Sequence, residues 1–170
     1  SLSGWAYQAL SAAYNTGLKI DGLEEAIFKS IAYLKKMGGA GHSFPYSSRN
    51  NSGGGTKHTM RAAGVFCLQL FNEGKTPEIK DELQIIATSD LENLDWNKPP
   101  TGSIYGWYYA TNSMFKAGGI YWKPWNRQCQ KMLSDNQHAA GYWVWPGRGH
   151  LSRIGDPLSQ KVYTTCLCAL

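Results

Sequence analysis

Charge is scarce in this chain: 17% of its 170 residues are Asp, Glu, Lys or Arg, the net charge is +5 and the isoelectric point lies near 9.0. The basic residues form no run, which argues against a nucleic-acid partner. No stretch approaches the ~20 consecutive apolar residues that cross a bilayer. Cysteine is limited to Cys67, Cys129, Cys166 and Cys168, with no C-x-x-C pair. All four fall within helical patterns, three of them in apolar runs, and are expected to be reduced and buried, which favours a cytoplasmic setting. A hydrophobic share of 42% with 17% charged residues fits a soluble globular chain and not a disordered one.

What is abundant is aromatic: seven Trp, ten Tyr and five Phe make 13% of the chain. Such rings serve as core or as ligand surface. The length suits a single domain, residues 1–170, with a substantial core. From Gly4 to Tyr14 there is no charge, and apolar or small residues appear on every side, so this helix is expected to be buried all round. Gly17 ends it. Asp21 is a plausible N-cap for a second, one-sided helix carrying Leu23, Ile27, Ile31 and Leu34 opposite Glu24, Glu25, Lys29, Lys35 and Lys36. A long Gly-, Ser- and Asn-rich loop containing Phe44-Pro45-Tyr46 follows, of a length usually tied to function or mobility.

The third helix, about Lys57 to Phe71, is apolar on most sides. Pro77 opens a fourth with the stripe Ile79, Leu83, Ile86 and Leu94, and with Glu78, Lys80, Asp81 and Glu82 expected largely to face away. The fifth, about Ser103 to Ala117, is uncharged before Lys116 and the most aromatic. A sixth is expected from Pro124, and a last apolar run covers Val162 to Leu170.

Buried-type helices thus alternate with water-backed ones at a period of about fifty residues, the pattern of stacked helical hairpins. A longer repeat overlies it and relates 4–68 to 106–170: Gly4-Trp5 matches Gly106-Trp107 and Gly17 matches Gly119, each 102 positions on, while Phe44-Pro45 matches Trp145-Pro146 at 101. The fold expected is all-α, about seven helices forming an α/α toroid or an arc of one.

Gln137-x-x-x-Gly141-x-Trp143 resembles the Gln–Trp repeat of squalene and oxidosqualene cyclases. Gly106-Trp107-Tyr108-Tyr109-Ala110-Thr111, with Gly118-Gly119, Trp122-Lys123 and Trp125-Asn126, is similar to the bacterial prenyltransferase/squalene-oxidase-repeat proteins. Val162-Tyr163-Thr164-Thr165-x-Leu167-x-x-Leu170 fits the last inner helix of the same group, in the terpenoid cyclase and protein prenyltransferase superfamily. The resemblance implies that Gln137, Gly141 and Trp143 are structural, the Gln capping a neighbouring helix end and the Trp packing over it. It also implies a full toroid of about six helix pairs, so that the rest of a longer parent chain or a second subunit is expected to complete the ring.

The family's chemistry is missing from these residues. There is no Asp-x-Asp-Asp acid, no Gly-Cys-Gly-Glu-Gln thioester, and Thr164 stands where the zinc-binding members carry Asp two residues before the Cys of Tyr163-Thr164-Thr165-Cys166. No metal and no cofactor are expected, and no catalytic residue is assigned. Candidate ligand-binding residues are the aromatics Tyr105, Trp107, Tyr108, Tyr109, Trp145 and Tyr163, whose π-faces suit an apolar or cationic guest but which serve equally as helix packing. His58, Arg61, His150 and Arg153 precede inner helices and could hold a diphosphate or carboxylate, or be solvated loop charges. Three functions fit: an aromatic cavity for an isoprenoid or other apolar ligand; a non-catalytic scaffold for a protein partner; and a glycan-binding or glycan-active toroid with Tyr142, Trp143 and Trp145 as sugar platforms and Arg148 and Arg153 for acidic groups.

Overall fold

A computed structural model describes residues 2–38, 44–45, 57–72, 76–98, 104–146 and 156–170. Within them the chain forms seven α-helices and no strand: α1 (Leu2–Asn15), α2 (Leu23–Gly38), α3 (Lys57–Leu70), α4 (Pro77–Ile85), α5 (Ile104–Ala117), α6 (Gly119–Asp135) and α7 (Pro157–Ala169). A π-helical turn, Ile86–Asp90, continues α4.

The helix ends follow local chemistry. Acidic Glu24 and Glu25 open α2 and basic Lys35 and Lys36 close it, each sign opposing the helix dipole. Thr76 enters α4 with extended backbone, and Pro77 supplies its first turn without wasting an amide. Asp156 caps α7, its Oδ1 accepting from the backbone N–H of Leu158 (2.9 Å) and Ser159 (3.0 Å). The sixth helix starts at Gly119, five residues before the expected Pro124. Gly118 and Gly119 hold positive φ, 68° and 48°, which lets the chain reverse directly out of α5. Pro124 sits just past the first turn, so it forfeits a single i→i−4 bond and is tolerated.

The core lies where α3 crosses α5. Val65, Tyr109, Met114 and Ser113 are fully enclosed, and Phe66, Leu68, Ile79, Leu83, Ile86, Ile104, Trp107 and Trp125 are buried around them. Each large apolar side chain buried there contributes about 1.5–3 kcal/mol. Two polar contacts stitch the crossing: Gln69 Nε2 donates to Ser113 O (3.2 Å), and Ser113 Oγ donates to Ala62 O (3.0 Å). α1 and α7 pack on α3 and α5 respectively, and α2, α4 and α6 flank these four.

The fourth-helix stripe is as expected, with Ile79, Leu83, Ile86 and Leu94 all buried, and Lys80 and Asp81 face water; Glu82 instead turns inward. The first helix departs from the sequence expectation. Gly4, Tyr7 and Ser11 are buried, but Trp5 is 42% exposed and Ala6, Ala9 and Ala12 face outward. α7 likewise buries Thr164 and Leu167 and exposes Leu158 and Val162, and Leu170 just past its end is exposed as well. An uncharged helix surface becomes core only where a neighbour covers it, and these two helices are flanked on one side by described residues.

Candidate functional site

A cavity of about 330 Å³ opens between α1, α2 and α3. Its walls are Ala6, Tyr7 and Leu10 from α1, Tyr33, Leu34 and Met37 from α2, and Met60, Ala63 and Cys67 from α3, with Phe44 and Pro45 at one end. None of the described lining residues carries a charge.

Phe44 is held there by two glycines. A Cβ on Gly64 would stand 2.2 Å from Phe44 Cδ2, and one on Gly38 would stand 2.8 Å from its Cε1, so only glycine admits the ring against α2 and α3 together. Between α1 and α2, Tyr7 Oη donates to Ser30 O (2.8 Å). Burial, with smaller contributions from Cys67 and Tyr33, pushes the Tyr7 hydroxyl up to about 12, and burial does the same to the Cys67 thiol. Both groups are neutral near pH 7, and a thiol so disfavoured as thiolate is a poor nucleophile. The described walls therefore suit an apolar molecule, and neither Tyr7 nor Cys67 is poised to act as an acid, base or nucleophile near neutral pH.

The corresponding space between α5, α6 and α7 is nearly filled. Its volume is about 50 Å³, among Ile104, Trp107, Tyr108, Cys129, Met132 and Leu167. Tyr108, which stands 102 positions beyond Ala6, is one of its lining residues, whereas Ala6 lines the larger cavity of the first copy.

The expected ligand-binding aromatics are gathered, but mostly as packing. Tyr108 and Tyr109 are buried on α5 and Tyr105 is half-buried, and their rings contact one another. Trp5 stacks on Tyr108 at 5.6 Å between centroids, Tyr108 Oη donates to Gln8 Oε1 (2.9 Å), and the hydroxyls of Tyr105 and Tyr109 share a hydrogen bond of 3.0 Å. A Cβ on Gly4 would lie 2.1 Å from Tyr109 Oη, so α1 can approach α5 this closely only through glycine. Burial raises the hydroxyl pKa of Tyr105, Tyr108, Tyr109 and Tyr163. Trp107 faces another way, edge-on to Trp145 (5.0 Å) and beside Trp96 (6.1 Å). Tyr163 on α7 is half-buried at the margin of this core.

His58 and Arg61 are both engaged within the protein. His58 Nδ1 donates to Asp90 Oδ1; Arg61 Nε donates to Glu82 Oε2 (2.5 Å), and its Nη1 lies 3.6 Å from Asp90 Oδ1. Glu82 and Asp90 are 3% and 9% exposed, so both basic side chains already have carboxylate partners from inside and are poorly placed to hold a free diphosphate. Asp90 and Glu82 were not among the sequence candidates. The signal for Asp90 was present: it lies four residues after Ile86 and four before Leu94, on the apolar stripe. His150, Arg153 and Arg148 lie outside the described residues.

The Gln–Trp loop distributes its bonds differently from the resemblance. Trp143 Nε1 donates to Leu133 O (2.8 Å) at the end of α6, while Gln137 Nε2 donates to Gly141 O (3.0 Å) within its own loop. It is the indole that caps a helix end; the amide closes the turn, at which Gly141 takes φ 87°. All four cysteines are free, Cys67 and Cys129 buried as expected, but Cys168 only half-buried and Cys166 exposed. Among the described residues no three His, Cys, Asp or Glu side chains converge as a metal-binding group, and no helix is long and apolar enough to cross a membrane. No protein family matches the chain, nor does any curated protein or solved structure.

Proposed function

We propose that this chain is a ligand-binding arc of helical hairpins of the terpenoid-cyclase and prenyltransferase-like type, and that it holds an apolar small molecule between α1, α2 and α3. One observation carries the reading: the cavity of about 330 Å³ whose described lining is free of charge. Ligand sites typically run from about 300 to 1,000 Å³, and a dry apolar cavity of about 150 Å³ suffices for benzene. The space therefore suits a molecule of a few rings, or a short isoprenoid. The alternation of helices and the Gly–Trp repeat support the relationship to the toroids. The reading assigns no turnover.

The test is uptake of a neutral apolar probe. The chain is titrated with 1-aminoanthracene, followed by displacement with farnesol and native mass spectrometry of the complex. One equivalent bound, lost in Ala63→Phe but kept in Thr111→Ser, is the expected result. No uptake by the folded wild type overturns it.

A glycan role has less support, because Trp143 is buried and Trp145 is turned edge-on into Trp96 and Trp107. A protein-binding role draws on the exposed apolar residues Leu158 and Val162 of α7 and Leu170 just past its end, and a failed uptake experiment would move the reading there.

A further inference from the structure

We propose that the ligand of the α1–α2–α3 cavity is a neutral apolar alcohol or phenol whose hydroxyl donates a hydrogen bond to Tyr7 Oη; this rests on the ligand-binding reading above.

The chemistry of the walls selects the class. A carboxylate, phosphate or ammonium group taken into this space would meet no counter-charge among the described lining residues, and burying an unpaired ion is far costlier than burying a neutral group. The ligand is therefore uncharged where it is enclosed. A pure hydrocarbon fits the walls but ignores their polar corner. That corner is the Tyr7 hydroxyl, on a residue only 8% exposed, with Ser30, Tyr33 and Cys67 also lining the cavity.

Tyr7 has one hydroxyl proton, and it is spent on Ser30 O at 2.8 Å. What remains on Oη is acceptor capacity. Burial keeps the phenol protonated well above neutral pH, so this polarity does not reverse in ordinary buffers. The matching ligand group is a donor, and the neutral donor that goes with an apolar body at least cost is a hydroxyl. An ether or ketone of the same shape would bring only another acceptor to Tyr7 Oη and leave that oxygen without a donor. The second copy of the repeat carries Tyr109 at the position matching Tyr7, but its hydroxyl is paired with Tyr105 Oη (3.0 Å) and the described cavity among α5, α6 and α7 measures about 50 Å³, so the preference belongs to the first trio of helices.

The experiment compares four probes of equal chain length on the wild-type chain and on Tyr7→Phe: 1-decanol, its methyl ether, decanoate and decylammonium. For wild type, 1-decanol and the ether are expected to bind and the two ions to bind at least tenfold more weakly than the alcohol. In Tyr7→Phe, 1-decanol should weaken about three- to tenfold, the worth of one neutral hydrogen bond, while the ether is unchanged. The ether also serves as the fold control for the variant. Equal weakening of alcohol and ether, an alcohol affinity indifferent to Tyr7→Phe, or decanoate or decylammonium binding as tightly as 1-decanol would each overturn the assignment while leaving apolar binding intact. Failure of wild type to bind any of the four overturns the ligand-binding reading along with it.

Discussion

Glu82 and Asp90 bring carboxylates into a wall that is otherwise Ile79, Leu83 and Ile86, and each meets a base from α3. Such a pair gains little over apolar packing, but removing one partner strands the other. With the side chains of Arg61 and Glu82 at 15% and 4% exposure, Glu82→Ala leaves an enclosed guanidinium without its closest anion. The variant should lose about 3 kcal/mol, read as a lower urea midpoint at unchanged slope. The cysteines make a second test at this scale. Burial raises the thiol pKa of Cys67 and Cys129, whereas Cys166 is exposed. Under native conditions Ellman's reagent should therefore react with Cys166 well before those two, which should wait for unfolding. Fast labelling of Cys67 in the folded chain would contradict its burial.

At the scale of elements, the approach of α1 to α5 depends on Gly4. An added Cβ would meet Tyr109 Oη at 2.1 Å, and Tyr109 is fully buried, so the ring cannot swing aside. Gly4→Ala should cost about 1–3 kcal/mol, in the range of other overpacking substitutions. Trimming the hydroxyl with Tyr109→Phe should recover part of that loss, a coupling that a thermal double-mutant cycle measures directly. The cap of α7 has its own signature. Asp156 accepts from Leu158 N, Ser159 N and Ser159 Oγ, and those bonds, led by the one from the Ser159 hydroxyl, hold its carboxyl pKa below the usual value. A folded-state pKa below the unfolded one means that the cap stabilises above the unfolded pKa and loses that effect as pH falls through the folded pKa. Hydrogen exchange at Leu158 and Ser159 should accordingly quicken, relative to core amides, below the ordinary carboxylate range, and Asp156→Ala should remove the pH dependence.

For the whole molecule, protection is unequal because burial is. The α3–α5 crossing is enclosed from both sides, whereas α1 and α7 each bury one face. Native-state hydrogen exchange should find α3 and α5 opening only with global unfolding and α7 opening at lower free energy. Equal protection across all seven helices would mean that α7 is held by more than the described contacts. The same inequality separates the two copies of the repeat. Trp5 and Trp107 share a motif, yet one is 42% exposed and the other 8%, since Trp107 is closed in by Trp96 and Trp145 while Trp5 is not.

The amino-acid sequence by itself determined the helices, their number and their order, along with the apolar stripe of α4 and the repeat, because each of these is written in the periodicity of a single segment or in direct self-similarity. It did not place the start of α6, where two glycines with positive φ outweighed a proline signal, nor the π turn that carries Asp90. Tertiary structure alone decided which rings became core and which remained exposed, that His58 and Arg61 are answered by Asp90 and Glu82, and that the roomier of the two described cavities lies beside α1 while the one beside the aromatic α5 is small. Those outcomes depend on how closely two helices approach, and that distance is set by pairs such as Gly4 with Tyr109 and Gly64 with Phe44, far apart in the chain. Periodicity reports which face of a helix is apolar; only the neighbour that meets it decides whether that face is core, cavity or surface.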